Sequence, residues 1–265
     1  MTKKILFGID ERLNNLENLK RYSKILNQEI KAKLIGVYLA DFAHQPQAHN
    51  VSEDTMELSI DDEVKSTQAI ELELQAHKLN IDYRYYRASS DHENLLINQS
   101  SFADLFVVDG IFVNDFLAPA ENDCTLSLLS KMKCPVLLNA DKFNQTDDII
   151  IYFDMHESTI KAIKSFADLF NHIIKSSRTT SVFALSPESD EEIELEKNLM
   201  NYLIGTFKNV GIQMTDRYAL EKDLGRHLTS AEKPLLISGK KGIDFICQTV
   251  IMKKIRDQFM PAFFA

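Results

Sequence analysis

Gly239-Lys-Lys-Gly242 is the stretch of this chain whose residue types could do chemistry on an anion. It follows the apolar run Pro234-Leu-Leu-Ile-Ser238, so it reads as the turn at the carboxyl end of a buried parallel strand. Two glycines three apart permit a backbone nest whose N–H groups face a phosphate, and Lys240 or Lys241 could neutralise its charge. The plainer reading is a surface turn with two solvated lysines. Asp154 closes another apolar strand, from Asp148. Its carboxylate could accept a ribose hydroxyl or help hold a metal, or it could cap the helix that follows. Fainter counterparts stand earlier, at Asp10 after Lys4-Ile-Leu-Phe-Gly-Ile and at Gly110 after Ala103-Asp-Leu-Phe-Val-Val-Asp. The candidate ligand-binding residues are therefore Asp154, Gly239, Lys240, Lys241 and Gly242, with Asp10 and Gly110 as first-half equivalents. For Asp10 the cap is the better reading.

Other constellations carry less. Asp10, Glu11 and Asp109 could form an acidic magnesium pocket like that of a phosphorelay receiver. A receiver needs its phosphorylated acid at the third strand end, where this chain has Arg87-Ala-Ser-Ser90. His44 and His49, with Glu53 and Asp54, fall in a polar stretch at spacings that suit no single helix or strand face. His156 and His227 have no nucleophile beside them, so a catalytic triad finds no support. Cys124, Cys134 and Cys247 have neither paired nor metal-ligand spacing, which suits free thiols in a reducing compartment. Cys134, before a proline at a strand start, reads as a small buried hydrophobe. No catalytic residue and no metal site is assigned.

Composition narrows the classes. At 265 residues the chain makes one large domain or two ordinary ones. A net charge of −9 argues against a general nucleic-acid binder and against adsorption to anionic membranes. No window approaches the ~20 apolar residues of a membrane helix. The apolar run near Met1 is shorter than a signal peptide needs. A cytoplasmic location is the expectation.

The elements that position these residues alternate. Lys3 to Asp10 reads as a strand, followed by a helix with Leu16, Leu19, Leu26 and Ile30 along one face. Ala32 to Ala40 is a second strand, and 41–62 is a polar loop. A helix from Glu63 to Leu79 leads to a strand at Ile81 to Tyr86. A helix at Glu93 to Ser100 precedes the strand ending at Asp109. Leu126 to Met132 is helical before a fifth strand, Pro135-Val-Leu-Leu-Asn139. Such alternation implies a parallel sheet with helices on both faces.

The pattern then restarts. Asp148-Ile-Ile-Ile-Tyr-Phe-Asp154 matches Lys4 to Asp10, terminal acid included. Ile160, Ile163, Ala167, Phe170 and Ile174 predict one helix, and Thr180 to Leu185 a strand. Glu191 to Asn209 predicts a helix, Ile212 to Tyr218 a strand, Glu221 to Leu228 a helix and Pro234 to Ser238 a strand. Ile243, Cys247, Ile251, Ile255 and Phe259 lie four apart on a last helix, before a strand at Pro261 to Ala265. Two copies of one α/β domain are expected, over 1–142 and 146–265, joined through the polar, aperiodic stretch Ala140 to Asp147. The apolar edge of Pro261-Ala-Phe-Phe-Ala265 needs cover, and Val136-Leu-Leu-Asn139 is its natural antiparallel partner.

These residues resemble the universal stress protein family in its tandem two-domain form. The likeness rests on Lys3-Lys-Ile-Leu-Phe-Gly-Ile-Asp10, on Ala103 to Gly110 as a fourth strand, on Lys133-Cys-Pro-Val-Leu-Leu138 as a fifth, and on the repeat from Asp148. The resemblance implies two doubly wound domains of the adenine nucleotide α-hydrolase-like group. Each would be a five-stranded parallel sheet in the order 3-2-1-4-5, the two paired through their fifth strands. It implies a non-enzymatic role in stress physiology. Some members bind ATP through Gly-x2-Gly-x9-Gly-(Ser/Thr), with the first-strand Asp near adenine and ribose. Here Val113 replaces the second glycine of the first half, and Asp123-Cys124 the last pair; in the second half Gly239 and Gly242 match, with Met252-Lys253 last. Any cofactor is thus expected in the second half, as a nucleotide such as AMP or ATP or another small anion. The alternative is a ligand-free scaffold for a protein partner, as monomer or homodimer. A nucleotide-hydrolysing enzyme would carry Ser-Gly-Gly-x-Asp-Ser after its first strand, where this chain has Gly8-Ile-Asp-Glu-Arg12.

Overall fold

Asp148-Ile-Ile-Ile-Tyr-Phe153 is buried along its whole length, as a strand apolar on both faces must be. In the computed structural model it is flanked on both sides within one ten-stranded sheet. The structure describes residues 3–9, 32–40, 82–87, 90–108, 131–247, 251, 254, 255, 258 and 260–265. The strands are β1 (Lys3–Ile9), β2 (Ala32–Ala40), β3 (Asp82–Arg87), β4 (Leu105–Val108), β5 (Val136–Leu138), β6 (Asp148–Phe153), β7 (Thr179–Leu185), β8 (Val210–Thr215), β9 (Pro234–Ser238) and β10 (Ala262–Phe264). From edge to edge their order is β3-β2-β1-β4-β5-β10-β9-β6-β7-β8. The order within β1–β5 is therefore repeated within β6–β10. Among these strands every pairing is parallel except one. At that seam β10 runs antiparallel to β5, with Ala262 opposite Leu138, Phe263 opposite Leu137 and Phe264 opposite Val136.

Because side chains alternate along a strand, the sheet has two cores. One face gathers Ile5, Val107, Leu137, Phe263, Ile237 and Ile151. The other gathers Leu6, Phe106, Val136, Phe264, Leu236 and Ile150. Both cores cross the seam without a break. Helices cover them: α1 (Ser90–Ser100), α2 (Ala140–Phe143), α3 (Glu157–Leu169), α4 (Asn171–Ser176), α5 (Asp190–Thr206), α6 (Arg217–Ser230) and α7 (Lys241–Cys247). Phe166 of α3 and Leu199 and Leu203 of α5 enter the first core, whereas Leu220 and Leu224 of α6 and Ile243 of α7 enter the second. The sheet is thus wound on both faces. Among the described residues no helix is long and apolar enough to cross a membrane.

Three sequence expectations need correction. The helix expected through Ile174 breaks at Phe170, whose φ of −130° and ψ of 40° leave the helical region. Its ring is fully buried against Phe143, with centroids 4.5 Å apart, and against Phe263 at 6.1 Å. The apolar period survives because α4 resumes at the next residue. The strand expected through Tyr218 ends at Thr215, because Asp216 Oδ1 accepts the Ala219 N–H at 2.8 Å and starts α6. The joint, read as a polar and aperiodic stretch, contains α2, entered through a left-handed Asn139 with φ 54° and ψ 44°. Phe143 of that helix is 3% exposed, so the joint belongs to the core.

At the amino end of β6, Asp148 is a buried acid with its partners supplied. Arg178 donates to it at 3.0 Å, Thr179 Oγ1 at 2.7 Å and the Glu232 N–H at 3.0 Å. Burial alone would raise its pKa, but the Thr179 and Arg178 bonds outweigh that and hold the carboxyl below its ordinary value. A carboxyl depressed in the fold stabilises above its unfolded pKa and loses that contribution as pH falls through the folded one. The stability advantage of the wild type over Asp148→Asn should therefore be constant from pH 8 to 6 and shrink below about pH 4. Urea melts across that range would show it, and an advantage unchanged at pH 3 would refute the assignment. The seam gives a second expectation. Residues 1–142 expressed alone would expose the apolar β5 edge that β10 covers. They should dimerise or precipitate, and a soluble monomer by light scattering would count against the seam as the stabilising contact.

Candidate functional site

The carboxyl ends of β6 and β9 are neighbours, since the two strands pair from Asp148↔Pro234 to Tyr152↔Ser238. Asp154 follows β6, and Gly239 follows β9. The turn after Asp154 passes through Met155 at φ 56°, a left-handed conformation rare outside glycine. Asp154 Oδ1 braces it, accepting the His156 N–H at 3.2 Å and the Thr159 hydroxyl at 2.7 Å. Thr159 is fully buried in the first turn of α3. Its hydroxyl oxygen also accepts the Gly239 N–H at 3.2 Å. One hydrogen-bond relay, Gly239 to Thr159 to Asp154, thus joins the two strand ends through the start of α3. Asp154 braces the turn before α3, and the cap of that helix is His156, whose side chain accepts the Ser158 N–H.

The Gly239 turn is closed on the protein itself. Lys240 N–H donates to the Ala265 carbonyl at 3.0 Å, Gly242 N–H to Gly239 at 3.0 Å and Ile243 N–H to Lys240 at 3.2 Å. No described glycine has a positive φ, so the nest expected from the two glycines does not form. The glycines are needed for closeness. A Cβ on Gly239 would lie 2.5 Å from the Thr159 nitrogen and closer still to Ser158 Oγ. One on Gly242 would collide with Ser238 Oγ and sit 3.0 Å from the Tyr152 ring.

Lys240 points away from Asp154 chemistry altogether. Its ammonium donates to the Met132 carbonyl and, at 3.1 Å, to that of Cys134, both in the first half of the chain. Burial, the largest effect, holds its pKa below the ordinary lysine value. Burial likewise pushes the Cys134 thiol up to about 12, leaving it protonated and unreactive at neutral pH. Lys241 is exposed at the first turn of α7. So the structure brings Asp154 and Gly239 together through Thr159 and keeps Gly242 beside them; it turns Lys240 toward β5 and Lys241 to the surface. Asp10, Gly110, Val113, Asp123, Cys124, Met252, Lys253, Glu11, Asp109, His44 and His49 lie outside the described residues.

His156 has a neighbour that the sequence pattern does not announce. Its Nδ1 lies 3.1 Å from Ser158 Oγ, but the same nitrogen accepts the Ser158 N–H at 3.1 Å. A ring nitrogen already holding a backbone proton is a helix cap and a poor general base. Among the described residues no three His, Cys, Asp or Glu side chains gather as a metal site. Thr159 is likewise absent from the residues that the sequence singles out. Its position five residues after a strand-terminal acid is a usable signal once the helix start is known.

A mostly parallel sheet wound by helices on both faces, with an acid and a glycine turn at adjacent carboxyl ends, defines a doubly wound α/β protein. Its fold is that of a universal stress protein. The crystal structure of a universal stress protein from Archaeoglobus fulgidus DSM 4304 superposes with a TM-score of 0.54 at 12% identity, covering 99% of this chain and 95% of that one. A functionally unknown protein from Pseudomonas aeruginosa PAO1 gives 0.57 at 14% identity, with 99% and 92% covered. No family model matches the sequence, and no curated protein does.

The closeness of Gly239 to α3 yields a direct expectation. Gly239→Ala must push Thr159 and Ser158 aside, at a cost of about 1–3 kcal/mol, seen as a Tm several degrees lower. Gly205, in α5 with nothing within 4 Å of where a Cβ would stand, is the control. Gly205→Ala should be neutral or stabilising by about 0.5–1 kcal/mol. Equal melting of the two variants would mean that the turn is loosely packed.

Proposed function

We propose that this chain is a non-enzymatic stress-response protein of the universal stress protein type, acting as a scaffold for a protein partner. The reading is carried by Lys240. The cation best placed in sequence to meet a phosphate instead holds the Met132 and Cys134 carbonyls. Removing it would leave those acceptors buried and unpaired, at about 1–3 kcal/mol each. A ligand drawing Lys240 away would have to outweigh that loss.

One observation favours a second reading, in which the second half binds a small anion such as AMP or ATP. Asp154, Gly239 and Gly242 lie together at the carboxyl ends of adjacent strands, where doubly wound sheets bind ligands, and Lys241 is exposed beside them. Binding there would rest on Lys241 and favour a short anion over ATP. Calorimetric titration of AMP, ADP and ATP into the wild type, Lys241→Ala and the Lys240→Ala, Lys241→Ala double variant separates the readings. The scaffold reading expects no saturable binding by any of the three. Saturable binding weakened severalfold by Lys241→Ala would establish the second reading, and turnover of ATP with magnesium would overturn both.

A further inference from the structure

A cavity of about 420 Å³ opens at the amino ends of β9 and β10, the opposite end of the strands from the Gly239 turn. That volume lies within the range of small-molecule sites. Among the described residues Lys142, Lys233 and Lys254 line it, and no Asp or Glu does, on a chain whose net charge is −9. Leu228, Met260 and Pro261 supply an apolar wall. The three lysines come from the joint, from the turn before β9 and from the last helical stretch, so no sequence motif links them.

Two of these ammoniums are held in position. Lys142 Nζ donates to the Gln258 carbonyl at 2.7 Å, and Lys233 Nζ lies 3.6 Å from the Asp147 carboxylate. Lys233 takes φ 43°, a left-handed backbone that side-chain-bearing residues rarely adopt, directly before Pro234. Its carbonyl accepts the Asp147 N–H at 3.2 Å, which fixes that turn. α6 also ends at this cavity. Thr229 Oγ1 bonds the Gly225 carbonyl at 2.7 Å and Ser230 Oγ bonds that of His227 at 3.0 Å. Among the described residues three lysines thus line this cavity with one carboxylate beside them, that of Asp147, against a partly apolar wall.

We propose that this cavity binds an amphipathic organic anion, a small molecule with one carboxylate, sulfonate or phosphate head and an apolar body. The head lies among Lys142, Lys233 and Lys254, and the body covers Leu228, Met260 and Pro261. An inorganic ion would leave the apolar wall wet, and a neutral apolar molecule would gain nothing from the lysines. Charge-assisted contacts in a partly enclosed site supply both affinity and orientation.

The test uses the full chain and 8-anilinonaphthalene-1-sulfonate as the probe, titrated by fluorescence and calorimetry. One saturable site is expected, weakened about tenfold or more in the Lys233→Glu, Lys254→Glu variant. Lys254→Met, which keeps length and removes charge, should weaken it less and melt like the wild type. Uncharged N-phenyl-1-naphthylamine should bind all three proteins alike, and Lys241→Glu, at the other end of the sheet, should leave sulfonate binding unchanged. The proposal is overturned if the wild type has no saturable site or if Lys254→Met and the double charge reversal both bind as the wild type does. It is equally overturned if Lys241→Glu weakens the probe as much as they do.

Discussion

Three residues facing three others, Val136–Leu138 against Ala262–Phe264, decide what kind of molecule this is. Elsewhere the sheet is parallel, and each strand is reached by a crossover. Here the two halves meet antiparallel and edge to edge. The ladder is too short to hold them by itself, because a backbone hydrogen bond nets only about 0.5–1.5 kcal/mol. Burial contributes more. Phe263 and Phe264 are 0% and 2% exposed, each contributing roughly 1.5–3 kcal/mol, and they point into opposite cores. Phe263 meets Phe166 at 5.3 Å on one face, while Phe264 joins Val136 and Leu138 on the other. Neither core is complete within one half.

Polar groups then fix the register that the phenylalanines leave loose. Asn139 is fully buried and left-handed, and its amide donates to the Ile255 and Met260 carbonyls at 2.8 and 2.7 Å. Lys142 reaches Gln258, and Lys240 reaches back to Met132 and Cys134. Each bond runs from one half of the chain to the other. Apolar faces can slide; the carbonyls bonded by the buried Asn139 amide cannot, because an unpaired one costs about 1–3 kcal/mol. The turn after β9 is therefore part of the seam, and its geometry answers to β5 as much as to any ligand.

Much of this was legible in the sequence. Runs such as Asp148-Ile-Ile-Ile-Tyr-Phe153 are buried strands because nothing else hides so continuous an apolar run on two faces. Strand–helix alternation then leaves few topologies. What could not be read was local and tertiary. Phe170 continues an apolar period, yet it leaves the helix because its ring finds Phe143, in a stretch that reads as polar. Asp216 reads as the middle of a strand, but its carboxylate caps α6. Lys142, Lys233 and Lys254 share a cavity only because the joint folds back onto the second half.

The Gly-x-x-Gly turn is the clearest case of one pattern with two physical causes. A glycine after a strand is needed either where a ligand approaches the backbone or where another backbone does. Both put the same letters in the same place. The distinction lies in what a Cβ would strike and where the amides point. At Gly239 the Cβ would strike the Thr159 nitrogen and Ser158, and the amide points at Thr159 Oγ1; at Gly242 the obstacles are Ser238 and Tyr152. Every one of these is a protein atom. Packing alone accounts for both glycines, so a ligand at this turn must find its grip on Lys241 and on solvent-facing surface, outside the contacts that made the glycines necessary.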